Sequence, residues 1–474
     1  MGVWGREHPR FWFLPEGHHV REINRIWPLM KKLKRILLVA GRYLQENPYR
    51  EVHLKRLFEA RGVEVALAIP GRGINKGGFT PESRNDPVFE REKALWVDGH
   101  WDFQAAMRGC QAVVLSTWRS YDPLADMARH KGLPTINFAA TSGQDHWPNN
   151  VDHCLVRSRM AISLLNYLCR TGQVEGCVPE SRMSIVGSML HESPDGMVSR
   201  PTMDREFFCQ RYGLDPSRRI VVLFPAGVAP YRVKVPLWRP EWSPSQVDEY
   251  IRKMIGEYFL ICKTVRDAGC NLLIKLHPTA YASYWCREGE EADFWSQNAE
   301  TSLLAPQDTQ AMFRHMDIGV GINTNASMDA GYFNKPFIYI SPDSVPLGPS
   351  IATVSEIEAC CGIPLGPSSH WYTRPKTSPT PWMSSWLGHF CTMEQLSELL
   401  NDPQTYTIDP SHAQSYITEF WHRNDQQTGL RIVNASLEIF ESALANSDFP
   451  TKIRRLRHAI DLNYLRAGIQ KIIS

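Results

Sequence analysis

The chain has 474 residues, with 52 Lys and Arg against 50 Asp and Glu for a formal charge of +2. At roughly 100–200 residues per domain, that length predicts two or three domains. Hydrophobic residues at 43% and charged residues at 22% exclude a mainly disordered chain, and the balanced charge argues against a dedicated nucleic-acid coat.

Residues 1–34 are aromatic, basic and without period, and read as an irregular extension. The regular pattern starts at Arg35. Ile36-Leu37-Leu38-Val39-Ala40 is a short continuous apolar run ending at Gly41, as a buried parallel strand requires. His53, Leu54, Leu57 and Phe58 stand at helical spacing, with Gly62 at a C-cap position, and Val63–Ile69 is the next strand. Strand, helix and strand make one βαβ unit. After a polar insertion near 71–95, the alternation resumes with a strand Ala112–Ser116, a helix Asp122–His130, a strand Thr135–Phe138, a helix Arg157–Arg170 and a last strand Met183–Gly187. A polar, Pro-bearing stretch over 189–218 marks a boundary.

A second series begins at Arg219. Ile220–Phe224 is a strand followed by Pro225-Ala226-Gly227, a small-residue turn that lets backbone approach a ligand. A long helix is predicted over 246–268. Strands follow at Asn271–Leu276 and Asp317–Gly321, then a short helix Ala326–Phe333 and a strand Pro336–Ile340. Residues 342–390 read as a long irregular insertion with Trp371, Trp382 and Trp386, and the chain from 392 is mostly helical. The organisation is therefore an extension 1–34, an α/β half 35–200, a second α/β half 201–448 and a closing helix 449–474. Tandem parallel sheets bind ligands at their carboxyl strand ends, which directs attention to the cleft between the halves.

The 11 cysteines lack any C-x-x-C and are odd in number, which favours reduced thiols in a cytosol over a disulfide framework. Met1–Pro9 carries Arg6, Glu7 and His8 and is not a signal peptide, and no apolar run approaches a membrane span. The expected location is cytoplasmic. Lys452, Arg454, Arg455 and Arg457 with Leu456, Ile460 and Leu465 fit a basic amphipathic helix touching the inner face of a membrane. A helix closing across both halves fits the same tail and is the favoured reading.

Two segments carry chemistry at predicted strand ends. Lys275-Leu276-His277-Pro278 places a cation and an imidazole where an anionic phosphate or a developing oxyanion can be met. In isolation, a strand-capping His is the plainer reading. Asn323-Thr324-Asn325-Ala326-Ser327 opens a helix, and Thr324, Asn325 or Ser327 can cap it. The sequence contains no Asp-x-Asp, no Walker A motif, no H-E-x-x-H, no clustered Cys/His set and no G-x-S-x-G. Gly71-Arg72-Gly73 has the wrong spacing for a dinucleotide fingerprint.

The run Lys275–Pro278, Asp308, Asp317–Ser327, Asp329-Ala330 and Asn334-Lys335-Pro336 resembles GT-B glycosyltransferases. The resemblance is to their bacterial surface-polysaccharide branch, with CDP-glycerol glycerophosphotransferases and the HP-motif sialyl- and Kdo-transferases. Val186-Gly187-Ser188 resembles the strand end between the two domains of such enzymes, and His53–Val65 their first helix and strand. The resemblance spans about 35–345, with its specific motifs in 219–340. It implies an α/β, GT-B-like fold of two Rossmann-like parallel-sheet domains facing a central cleft, acceptor domain first and nucleotide-donor domain second.

By position, it also implies that His277 contacts the donor phosphate or ribose, that Thr324 and Ser327 occupy a phosphate-binding Ser/Thr place, and that Asp329 lies near the ribose. Gly227, Lys275, Pro278, Asn323 and Asn325 complete the donor set. Where the family often has adjacent serines, this chain has Thr324-Asn325-Ala326-Ser327. The HP motif favours a CMP- or CDP-linked donor, and UDP-sugar enzymes share the fold.

The resulting expectation is a metal-independent transferase without a resident cofactor. It moves a sugar or alditol phosphate from a nucleotide-activated co-substrate to a glycan or lipid-linked glycan acceptor. An inverting reaction needs a base from the first half, and Asp122, Asp145 and His146 are candidates because they follow predicted strand ends. For Asp122, a helix N-cap is the favoured alternative. A UDP-sugar 2-epimerase and a non-catalytic GT-B-like scaffold remain the competing readings.

Overall fold

The structure is a computed structural model. It describes residues 33–41, 50–71, 87–116, 122–138, 151–162, 166, 179–189, 191–192, 203–225, 232, 235–236, 240–277, 290–298, 301–305, 308–322, 324, 326–340 and 384–445.

The N-terminal strands are β1 (Arg35–Val39), β2 (Glu64–Pro70), β3 (Leu95–Val97), β4 (Ala112–Leu115), β5 (Thr135–Phe138), β6 (His153–Val156) and β7 (Met183–Ile185). They form one seven-stranded sheet in the order β3-β2-β1-β4-β5-β6-β7, and every pair is parallel. The helices between them are α1 (Arg50–Ala60), α2 (Pro87–Arg91), α3 (His100–Ala106) and α4 (Asp122–His130).

Two-sided burial explains the unbroken apolar run of β1. Leu37 and Val39 enter a core with Val113, Leu115 and Leu124, whereas Ile36 and Leu38 enter the opposite core with Val52, Phe58 and Ile69. Alternate side chains of a strand point to opposite faces, so a strand covered on both sides needs apolar residues at every position.

The C-terminal strands are β8 (Ile220–Phe224), β9 (Asn271–Ile274), β10 (Ser302–Leu303), β11 (Ile318–Gly321), β12 (Phe337–Ile340) and β13 (Gly388–Cys391). Their order is β10-β9-β8-β11-β12-β13, again parallel throughout. The helices are α5 (Arg205–Tyr212), α6 (Pro244–Asp267), α7 (Glu290–Asn298), α8 (Thr309–His315), α9 (Ala326–Tyr332), α10 (Leu396–Asn401), α11 (Pro410–Tyr416) and α12 (Thr428–Ala445).

Helix α6 shows how local sequence sets its bounds. Ser243 caps it reciprocally with Gln246, Pro244 takes the first turn, and Val247, Tyr250, Ile251, Met254, Tyr258, Ile261, Cys262 and Val265 form its buried stripe. β8 divides like β1, with Val221 and Leu223 facing the α6 core and Ile220, Val222 and Phe224 the other.

Both sheets therefore have the doubly wound order, in which the winding reverses between β1 and β4 and again between β8 and β11. This is the two-domain Rossmann-like α/β architecture expected from the sequence. Helix α12 ends the described chain by returning to the first domain, where Ile432, Val433 and Phe440 join the core containing β1 and α1.

Several elements differ from the expectation. The strand β3 closes the stretch read as a polar insertion, and β13 closes the one read as irregular. Strand β6 precedes the helix expected from Arg157, of which residues 159–162 are described as helical. The boundary stretch contains α5, capped by Asp204 and ended by Gly213 at φ 64. The extension up to residue 32, residues 341–383 and the tail from 446 lie outside the described residues. Among the described residues, no helix is long and apolar enough to cross a membrane.

Candidate functional site

The winding reversal of the second domain opens at the carboxyl ends of β8 and β11, with β9 on the other side of β8. The register sets their ends level: Phe224 pairs with Gly321, Leu223 pairs with Ile274, and the Lys275 amide donates to the Leu223 carbonyl at 3.0 Å. The chain leaving these strands therefore presents Lys275 and His277 from β9, Pro225 from β8, and Ile322 and Thr324 from β11 at one edge. His277 is exposed, and Lys275 is half-buried with Nζ 3.5 Å from the Leu276 carbonyl oxygen.

Gly321 keeps this edge compact. A Cβ there would lie 2.7 Å from Thr324 Cγ2 and 3.3 Å from the Phe224 carbonyl oxygen. The Thr324 hydroxyl accepts from the Ala326 amide at 3.2 Å and so caps α9. Ser327 is fully buried and its hydroxyl donates to the Thr324 carbonyl at 3.1 Å, which closes the turn from inside. Gly227, Pro278, Asn323 and Asn325 lie outside the described residues.

Asp329 stands one turn into α9 and ties the site to the crossing between domains. Its Oδ1 is 2.7 Å from His191 Nε2, and the Asp329 side chain keeps 22% of its surface exposed. His191 is enclosed by the rings of Phe313, Tyr332, Phe333 and Trp421. Trp421 Nε1 donates to the Met328 carbonyl at 2.8 Å, and the Arg157 guanidinium, from the end of β6, lies 5.0 Å from the Trp421 ring.

The next residue, Glu192, accepts from the Gly429 amide with both oxygens, at 3.1 and 2.8 Å. Burial raises its carboxyl above the ordinary range, against the lowering effect of the Gly429 and Thr428 amides and of Arg431. Gly187, at φ 98, faces Thr428, and Arg431 Nε donates to the Val186 carbonyl at 2.7 Å. The two passages of chain between domains are thus bonded to one another and to α9. Beside them an open pocket of about 460 Å³ is lined by Gln414, Thr418, His422, Arg423 and Asp425 among others. Burial, then the charges of Arg431 and Arg423, lower the His422 imidazole below its usual range.

The winding reversal of the first domain is built differently. Arg50 and Glu51 begin α1, yet both side chains are buried. Glu51 Oε1 accepts from Arg50 Nε at 3.0 Å, Arg50 Nη2, Ser116 Oγ at 2.7 Å and the Gly41 amide at 3.2 Å. Arg50 Nη2 also donates to Ser116 Oγ at 2.8 Å, and the guanidinium lies 5.8 Å from the Phe138 ring. Gly41 is required, because a Cβ would fall 2.3 Å from the Ser116 carbonyl oxygen.

Of the expected catalytic residues, Asp122 is the first residue of α4, and Asp145 and His146 lie outside the described residues. Arg50 and Glu51 escaped the sequence reading because a charged pair opening a helix looks like an ordinary solvated first turn. The signal that marks them is their position directly after Gly41 and its loop at a winding reversal. Asp308, part of the sequence resemblance, follows the carboxyl end of β10 and accepts from Tyr212 Oη at 2.6 Å and Arg211 Nε at 2.7 Å. Among the described residues, no group of three or more His, Cys, Asp or Glu side chains could hold a metal ion.

No family model matches the sequence, and no curated protein matches it. The chain is similar to solved structures at low identity. MurG from Acinetobacter baumannii is 8% identical with a TM-score of 0.37, and the match covers 86% of this chain and 99% of that one. The wall teichoic acid polymerase TagF is 9% identical with a TM-score of 0.48, covering 86% and 90%. MnaA from S. aureus with UDP is 11% identical with a TM-score of 0.46, covering 85% and 96%.

Proposed function

We propose that the chain is a GT-B glycosyltransferase that binds a nucleotide-activated donor in its second domain and moves a sugar or alditol phosphate to a glycan or lipid-linked glycan acceptor. The observation that carries this reading is the level edge of β9, β8 and β11. It sets Lys275, His277 and the Thr324 turn around the winding reversal where doubly wound sheets take their ligands. Two such domains joined by bonded crossings suit a reaction between two substrates, one held by each.

The donor is CMP- or CDP-linked in this reading. Lys275 and His277 approach its phosphates, and Asp329 reaches the ribose with the oxygen that His191 leaves free. As the bond from the transferred group to the phosphate oxygen breaks, the electron pair stays on that oxygen. The cations of Lys275 and protonated His277 stabilise the charge, without a metal and without a resident cofactor. The acceptor oxygen forms the new bond and yields its proton to a base of the first domain, for which Asp122, Asp145 and His146 are the candidates from the sequence.

The reading is tested by incubating the full chain with CMP-, CDP- and UDP-activated donors in excess EDTA and following release of the free nucleotide. Release from a cytidine donor that is lost in His277→Ala supports it. Release that requires an added divalent cation contradicts it. Formation of an epimeric UDP-sugar without an acceptor identifies a 2-epimerase instead.

A further inference from the structure

The pocket beside the crossings takes no part in the transfer chemistry above. It measures about 460 Å³, within the usual span of small-molecule sites, roughly 300–1,000 Å³. Its wall has an unusual backbone. Helix α11 passes into a π-helical turn over Ile417–Trp421, and His422 follows at φ 68 and ψ −59. That is close to the γ-turn of positive φ, a rare and strained conformation for a residue with a Cβ. His422 and Gln426 are two of the four described non-glycine residues with positive φ. Strain of this kind persists only where surrounding contacts impose it, and it gathers at functional sites. Three contacts impose it here. Trp421 Nε1 donates to the Met328 carbonyl at 2.8 Å, Gln426 Nε2 to Tyr332 Oη at 2.6 Å, and Arg431 Nη1 to both oxygens of Asp425 at 2.9 and 2.8 Å.

Between these anchors stand His422, Arg423 and Asn424, consecutive side chains that each carry an N–H donor. All three line the pocket, and none is hydrogen-bonded to another described residue. The carboxylate of the pocket, Asp425, is already engaged by Arg431 and by the Gln427 amide at 3.1 Å, so Arg423 supplies positive charge without a bonded counter-charge among the described residues. His422 registers that field. Burial first, then Arg431 and Arg423, lower its imidazole, and Asp425 opposes them with the smallest effect. A guanidinium fork, an imidazole and a carboxamide in one pocket suit an anion with several oxygens. A cation is repelled by Arg423, and a neutral polyol leaves its charge unpaired. The volume exceeds that of a bare tetrahedral anion, which leaves room for an organic part.

We propose that this pocket is a second ligand site that binds a phosphoryl group, with Arg423, His422 and Asn424 donating to its oxygens. Its size favours a small phosphate ester over free phosphate. The site shares no residue with the edge of β9, β8 and β11, and it does not depend on the transfer reading.

Calorimetric titration of the full chain in phosphate-free buffer provides the test, with glucose 6-phosphate, inorganic phosphate and glucose as probes. The wild-type chain is expected to bind the ester, to bind free phosphate more weakly and to leave glucose unbound. Free phosphate bound as tightly as the ester would support the site with the ion as its ligand. Arg423→Gln, at an exposed position, should weaken the ester at least tenfold. His422→Asn, which tolerates the positive φ, should weaken it as well. His277→Ala should leave the affinity unchanged. Retained melting transitions report that the variants fold. A wild-type chain that binds neither phosphate, glucose bound as well as its phosphate, or undiminished affinity in the folded Arg423 and His422 variants would overturn the proposal. So would loss of the ester in His277→Ala, which would put the phosphate at the donor edge. A chain that binds the ester through Arg423 and binds no nucleotide would remove the transferase reading and leave this site standing.

Discussion

Glu192 shows how a single residue of the crossing responds to pH. Its carboxyl is raised above the ordinary 4.5 by burial, so the folded chain holds this proton more tightly than the unfolded chain does. Protonation therefore favours folding. Stability contributed by this group is greatest below the unfolded value, and it declines as pH rises from about 4.5 through the higher folded value. A series of melting temperatures across the acid range should show this decline in the wild-type chain. Glu192→Gln, which cannot ionise but retains an acceptor for the Gly429 amide, should lose that component; an identical slope in both chains would assign the titration elsewhere.

The same scale explains why part of the site was readable and part was not. Lys275, His277 and Thr324 follow apolar strands directly, and the strand end is visible in sequence, so their convergence could be anticipated. His191, Trp421 and Arg157 meet Asp329 and its helix from positions far apart in the chain, and nothing in their local sequence announces the meeting.

At the scale of elements, the central strands were legible because two-sided burial forces unbroken apolar runs: β1, β4, β5, β8 and β12 are nearly all buried. Of the strands that sequence did not mark, β3, β10 and β13 are outer ones, whereas β6 lies between β5 and β7. β3 is three residues long with only Val97 buried, β10 is two residues, and β13 begins with Gly388-His389. Gly388 has a structural reason to break the pattern, since a Cβ would fall 1.8 Å from the Phe337 carbonyl oxygen. Neighbours rather than hydrophobic period place such strands.

The crossing element makes a quantitative prediction. Gly187 has φ 98, and a Cβ would meet Thr428 Oγ1 at 2.9 Å and Arg431 Nη2 at 3.2 Å. Gly187→Ala should lower stability by roughly 1–3 kcal/mol, the usual magnitude for a backbone held in a sparsely populated region. Urea unfolding gives the value, and a change below the fitting error would mean that the two crossings are not packed as described.

For the whole molecule, the sequence order of the helices conceals where the last one belongs. Phe440 of α12 is fully buried in the core of the first domain, although hundreds of residues separate it from β1. Phe440→Ala should cost roughly 3–5 kcal/mol, as expected for removing a buried aromatic side chain. Hydrogen exchange should then accelerate in β1 and α1 while β8 and β9 stay protected. Acceleration confined to the second domain would contradict the docking. Because α12 begins at the Gly429 amide held by Glu192, and His191 holds Asp329, the second-domain site and the first-domain core share one short linker.

The central claim is that a nucleotide binds at the edge formed by β9, β8 and β11. Calorimetric titration of CMP, CDP and UDP into the full chain in excess EDTA, with and without His277→Ala, tests it most directly. The side chain of His277 is exposed, so the variant leaves the core intact. The account predicts that the wild-type chain binds a cytidine nucleotide and that the variant weakens it about 10- to 100-fold, the worth of a hydrogen bond to a charged group. A wild-type chain that binds none of the three, or a variant with unchanged affinity, would contradict it.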